Sequence, residues 1–196
     1  MSKLEIAIVA HHEAGHAVLS RNLRLGVREV SIIPQDDSLG YVTHWPFPAS
    51  FQPDVDNGTA TEARVRKHII VLLAGDAAEA RFRRLTRRRQ RPLNQDPGSD
   101  WYKAVDLAAY MTGSPKEAGA YLDWLLVKTR EMIENEWTWA KITHVAETLI
   151  VERRLSGRRL GEVVRAHYEA TIAPVFEQAQ ALVSRMRALE IQEAEG

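Results

Sequence analysis

The chain has 196 residues, with 26 basic side chains against 26 acidic ones. That balance argues against a general polyanion binder but leaves room for local concentrations of charge. Its 45 % hydrophobic and 27 % charged residues place it outside the disordered class, and it is long enough for one ordinary core or one domain plus an appendage. Without cysteine, neither a disulfide frame nor a thiolate metal site can form. No segment approaches the ~18 consecutive apolar residues of a membrane span. The apolar stretch 6–10 runs straight into His11, His12 and Glu13 rather than a signal-peptide cleavage site. The expectation is a cytoplasmic chain, complete from Met1, with no membrane span. It carries no Gly-x-x-x-x-Gly-Lys-Ser/Thr loop and hence no P-loop ATPase of its own.

Residues 4–24 read as a first helix, with Leu4, Ile8, Ala14, Val18 and the pair Leu23/Leu25 in a mainly helical pattern closed by Gly26. Two β-rich runs follow in 27–45, VREVSIIP and LGYVTHW. Pro34, Gln35, Asp36 and Asp37 lie between them, which predicts a small sheet or hairpin. Prolines and a glycine make 46–58 a loop. The helical period returns from 59 to about 83, with Val65, Ile69, Leu72, Leu73 and Ala77 on one face. A basic run, RFRRLTRRRQR, occupies 81–91, and a turn-rich patch, PLNQDPGSD, comes next. Ser99 or Asp100 opens a helix that ends at Met111 before TGSP, and helices at about 116–134, 136–154, 157–169 and 172–192 complete the chain. The expected fold is therefore mainly α, with a small β element beside the first helix. Its domain would span 1–170, helical from about 114, followed by a helix and acidic tail over 171–196.

Chemistry concentrates in AHHEAGHAVL, residues 10–19. His12 and His16 stand one turn apart on a helix, so they project from one face about 6 Å apart at Cβ. That lets two imidazoles share one zinc ion at about 2.0–2.1 Å. Glu13, beside the first of them, is placed to take a proton from the attacking water and return it to the leaving amine. Small residues at Ala14 and Gly15 allow another segment to approach the metal. A catalytic zinc site needs a third protein ligand. The metzincin extension is excluded by Leu19 and Asn22, which stand where that class requires glycine and histidine. The ligand must come from elsewhere: Asp100, at a helix start, meets the description, and Glu62 does so less well.

HHEAGHAVL, VSIIP…LGYVTH, VLLAGDAAEARF and GSDWYKAVDLAAYM resemble, in that order, the peptidase domain of FtsH-type AAA proteases. The later MIENEWTWAKITHVAETLIVERRLSGRRLGEV is similar to that family's C-terminal helices, so the resemblance covers about residues 5–165. It implies a helical zinc peptidase. His12, His16 and Asp100 match its metal ligands, Glu13 its catalytic glutamate, and Glu79 an acidic position with either a role behind the ligands or that of a helix-packing or capping carboxylate. Gly40, Tyr41, Val42, Thr43 and His44 correspond to the edge strand that aligns an extended substrate. The family fuses this domain to a membrane anchor and an ATPase ring that this sequence lacks. Substrates would then be unfolded or flexible polypeptides, unless an ATPase acts in trans. The segment between Glu79 and Asp100 looks longer than the family's, and its extra residues are mostly arginine.

A rival reading keeps the fold as a catalytically silent adaptor or regulator. Another makes the arginine run at 83–91 a binder of acidic partners or nucleic acid, although the run lacks the interleaved aromatics that stack on bases and reads first as a solvated, mobile loop. His11 could be an accessory ligand, but it faces about 100° away from His12 and reads rather as packing or exposed. His44 and His68 are candidate neighbours of the site, and Trp124, Trp137 and Trp139 are expected to anchor the C-terminal helices. The helix from 172 would pack on the body or join subunits of a homo-oligomer.

Overall fold

The computed structural model describes residues 1–35, 38–47, 51–56, 58–90, 92 and 96–195, apart from the side chains of 172 and 186–195. The first helix begins at a reciprocal cap. The Glu5 amide donates to Ser2 Oγ, and the Ser2 amide donates to the Glu5 carboxylate, which satisfies amides that a helix start leaves unpaired. From there α1 (Lys3–Asn22) runs through the middle of the molecule, every residue from Ile8 to Ser20 buried except His12. A helix covered on all sides needs no single apolar stripe, which is why its period is imperfect in the sequence.

Two long helices, α2 (Thr59–Leu85) and α5 (Glu136–Glu152), pack on α1. A Cβ at Gly15 would stand 2.7 Å from both the Ala74 carbonyl oxygen and Ala78 Cβ, so glycine there sets the approach of α1 to α2. Leu19, Ile69, Leu73, Leu125, Ile142 and Leu149 close the core, each contributing about 1.5–3 kcal/mol by burial. Around these lie α3 (Asp100–Ala109), α4 (Pro115–Glu134) and α6 (Gly157–His167), whose starts are capped by Ser99, Ser114 and Ser156. A π-helical turn, Tyr168–Ile172, leads into α7 (Ala173–Glu195). Residues 175–185 of α7 are exposed throughout.

The sheet has three antiparallel strands in the order β2-β1-β3: β1 (Val27–Ser31), β2 (Tyr41–His44) and β3 (Arg154–Ser156). Val30 pairs with Val42 on one side and Leu155 on the other, and a bulge at Arg28 shifts the β1–β2 register. The fold is mainly α with a small sheet, but one strand departs from expectation. The helix predicted for 136–154 stops at Glu152, because Arg153 turns left-handed (φ 66°) and residues 154–156 pair with β1. Similarly, α1 ends before Gly26, at the left-handed Arg24 (φ 61°). The described non-glycine residues with positive φ are Arg24, Arg87 and Arg153. Each lies at or just beyond the C-terminus of a helix.

Of the three tryptophans expected as anchors, Trp139 packs against the core, whereas Trp124 and Trp137 are 45 % and 47 % exposed. Asp36 and Asp37 of the predicted turn, residues 48–50 and 57 of the loop, Arg91 of the basic run, 93–95 of the turn-rich patch and Gly196 of the tail lie outside the described residues. Among those described, no helix is long and apolar enough to cross a membrane.

Candidate metal centre and cleft

His12 and His16 turn their Nε2 atoms toward each other, 3.1 Å apart, on the face of α1 that looks at α2 and α3. The outer nitrogen of His16 donates to the Val71 carbonyl at 2.7 Å. That bond leaves the His16 Nε2 lone pair directed into the site. Asp100, first residue of α3, brings Oδ2 to 3.0 Å from His16 Nε2 and 3.6 Å from His12 Nε2. One ligand atom from each of the three residues lies within 4.8 Å of the others. Gly75 on α2 faces the pair, and a Cβ there would overlap both Nε2 atoms. Two imidazole nitrogens, one carboxylate and a space only glycine leaves open form a donor set that can hold zinc.

Electrostatics point the same way. Burial disfavours the charged form of His12, but Asp100, Glu79, Glu13 and Asp76 outweigh it and lift its pKa to about 10. At His16 burial is likewise overcome by Asp100, and the pKa is raised. Burial would raise Asp100, yet His16 and His12 hold it far below the usual carboxylate range. A field that draws protons onto two neighbouring imidazoles also favours a dication between them. Behind His12, its Nδ1 lies 3.5 Å from Glu79 Oε2 and 3.8 Å from Asp76 Oδ1. Burial opposes the Glu79 charge, but His12 and Arg83 keep it ionised below the ordinary range, with Arg83 Nε donating to its Oε1 at 2.7 Å.

Glu13 is buried beside the pair, and that burial pushes its carboxyl above the ordinary value. A Cβ at Gly40 would stand 2.8 Å from Glu13 Cγ and Oε1, so the chain leading into β2 passes directly over this carboxylate. Together they border a cleft of about 250 Å³. Its floor is His12, His16 and Asp100, and its wall includes Gly40, Tyr41, Val42 and His44. Thr43, the remaining residue of the expected substrate strand, is exposed and stands off the cleft. One edge of β2 pairs with β1, and the other carries no strand among the described residues. Ser20 Oγ donates to the His16 carbonyl and therefore accepts from His44 Nε2 at 2.8 Å, fixing the His44 ring.

His11 is buried, donates through Nδ1 to Ala7 O at 2.8 Å and stacks on Phe82 at 3.9 Å. His68 packs in an aromatic cluster, 4.6 Å from Phe47. Glu62 sits in the first turn of α2 and does not join the described carboxylates that converge on the imidazoles. Three of the six described arginines of the basic run are engaged in the body: buried Arg81 donates to Ile133 O and Glu136, Arg83 to Glu79, and Arg84 to Glu134. Sequence reasoning missed Asp76, Gly75, Lys103 and the Val71 carbonyl. Helical spacing could have found two of them, since Asp76 lies three residues before Glu79, and Lys103 three after Asp100, with Nζ 3.2 Å from its Oδ1. The role of a backbone carbonyl leaves no signal in side-chain identity.

The model of peptidase family M41 matches residues 1–91. ATP-dependent zinc metalloprotease FtsH 2 of Thermoanaerobacter sp. (strain X514) is 34 % identical over 73 residues, which are 37 % of this chain and 13 % of that protein. The protein of the same name from Sphaerobacter thermophilus is 39 % identical over 80 residues, 40 % of this chain and 11 % of its own length. The aligned part is thus a small fraction of these relatives, and it ends before Asp100 in the family match.

Proposed function

We propose that this chain carries an FtsH-type peptidase domain, as the family M41 match over residues 1–91 and the two FtsH relatives support, and that its cleft hydrolyses peptide bonds in unfolded or flexible polypeptides, with zinc held by His12, His16 and Asp100. The observation that carries this reading is the convergence of those three ligand atoms within 4.8 Å beside the Glu13 carboxylate. Zinc in such a donor set supplies a polarising charge for the scissile carbonyl and acidifies water near neutral pH. The rest falls to the chain's own residues. His16 is oriented through Val71 and His12 is backed by Glu79. Glu13 takes a proton from the attacking water onto its carboxylate and passes it to the leaving nitrogen. Its burial raises its proton affinity, which suits both halves of that task. The open edge of β2 offers backbone groups to an extended peptide, independent of side-chain identity. Folded proteins could not enter a cleft of about 250 Å³ without an ATPase acting in trans.

The test is hydrolysis of a labelled unfolded protein by the zinc-loaded chain beside its Glu13→Gln variant. At equal zinc content the variant should be slower by about 10²–10⁴-fold. Equal rates, or no cleavage by the parent, would reject the reading.

A further inference from the structure

A second groove, of about 650 Å³, opens at the far end of α1. Arg21, Arg24, Arg28 and Arg158 surround it, with Gly26 and Trp45 between them. Arg158 lies 3.3 Å from Glu162, whereas Arg21, Arg24 and Arg28 have no carboxylate within ion-pair distance among the described residues. In a chain with zero net charge, this is a local excess of unpaired guanidinium.

The fold builds that excess. The β1 bulge falls on Arg28, which is exposed between two more buried neighbours, as bulges re-aim a side chain. The Arg21 guanidinium lies against α6, where a Cβ at Gly161 would come within 3.3 Å of both its terminal nitrogens. Gly157 presses on the Val27 carbonyl, so closely that a Cβ would overlap it, and this seats the start of α6 at the groove. The first turn of α6 holds no acidic residue, so its partial positive charge adds to that of the arginines.

The groove also lies on the path leading from the cleft. The Trp45 amide donates to the Gly26 carbonyl at 3.2 Å, which continues the β1–β2 ladder past His44. The chain through β2 therefore runs from Gly40, against Glu13, to Trp45, at the groove. An extended chain rises about 3.3 Å per residue, so a peptide laid along β2 would reach the arginines about five residues from the carboxylate. We propose that this groove binds acidic side chains of the polypeptide substrate. The chain would thereby select flexible segments that carry carboxylates to one side of the bond to be cut. This rests on the peptidase reading for its placement. Nucleic acid fits less well: stacked bases need successive aromatic faces, and the groove offers Trp45 alone, with the Arg28 guanidinium 6.0 Å from its ring.

Fluorescence anisotropy of a glutamate-rich peptide and its glutamine-for-glutamate twin tests this on the full Glu13→Gln chain. The acidic peptide should bind more tightly, lose affinity in high salt, and bind about tenfold more weakly to a chain also carrying Arg21→Gln, Arg24→Gln and Arg28→Gln. Neutralising Arg87, Arg88 and Arg89 instead should leave binding unchanged. Should the triple variant fail to fold, Arg28→Glu with a lysine-rich peptide gives the reciprocal test, a gain of binding. Equal binding of the two peptides, indifference to the groove arginines, or tighter binding of a single-stranded oligonucleotide of equal charge would overturn the proposal. Parent cleavage separates the two readings. Arginine-dependent binding without cleavage removes the peptidase and keeps the groove, and cleavage indifferent to the arginines does the reverse.

Discussion

The middle and the end of α1 handle charge in opposite ways. At His12 and His16 the ring nitrogens are buried or half-buried and each is met by a partner: Val71, Asp100, Glu79 or Asp76. At Arg21 and Arg24 the side chains are exposed and no carboxylate among the described residues meets them. Buried charge must be paired to persist, so the first arrangement is rigid and already committed. Exposed guanidinium costs little to leave open, so the second is available to whatever arrives. Preorganisation and availability thus share one helix because its middle is enclosed by α2 and α3 and its end is not.

The sharpest way to break that contrast is Gly75→Ala. If the imidazole pair is as closely enclosed as the geometry shows, a single methyl group displaces both rings. Zinc content by elemental analysis should then fall to trace levels while far-UV helicity persists; retained zinc would mean the enclosure yields. Glu79→Gln probes the same rigidity more gently. It removes the charge behind His12 without changing shape, and a competition titration should show zinc held about 10–100-fold more weakly. Unchanged affinity would leave Glu79 as a partner of Arg83 alone.

The smallest effect concerns the aromatic cluster between these regions. Burial, followed by His44 and Arg64, pushes His68 down to about 4. Between pH 6.5 and 4 the unfolded chain binds a proton at this residue that the folded chain refuses. Stability therefore drops as pH falls through that window and is regained above it. Replacing His68 with phenylalanine should flatten the pH dependence of the urea midpoint over that range; an identical slope would rule out this contribution.

Most helices were legible because their boundaries are written in local chemistry. Ser99 before Asp100, Ser114 before Pro115 and Asn135 before Glu136 each cap the helix they precede. The strand at Arg154–Ser156 was not, since three residues between two helices have no period of their own and are strand only because β1 lies alongside. The site divides in the same way. The His12–Glu13–His16 spacing can be read from one helix. Asp100 was legible only as the better of two candidate third ligands, ahead of Glu62, until the resemblance singled it out, because a carboxylate at a helix start is a weak local signal. Asp76 and Gly75 acquire meaning only once α2 is laid against α1, and the arginine groove only once the ends of α1, β1, β2 and β3 are brought together.

The pairing of β3 with β1 has one more consequence. Leu155 is fully buried opposite Val30, and through it the C-terminal region occupies the side of β1 that faces away from β2. A chain cut before Arg154 would bare a second row of unpaired amides and carbonyls, with the apolar Val30 and Ile32 beneath it. Such an edge is a template for strand-to-strand self-association. Three residues that make no contact with the cleft thus guard the sheet against sticking to its own copies.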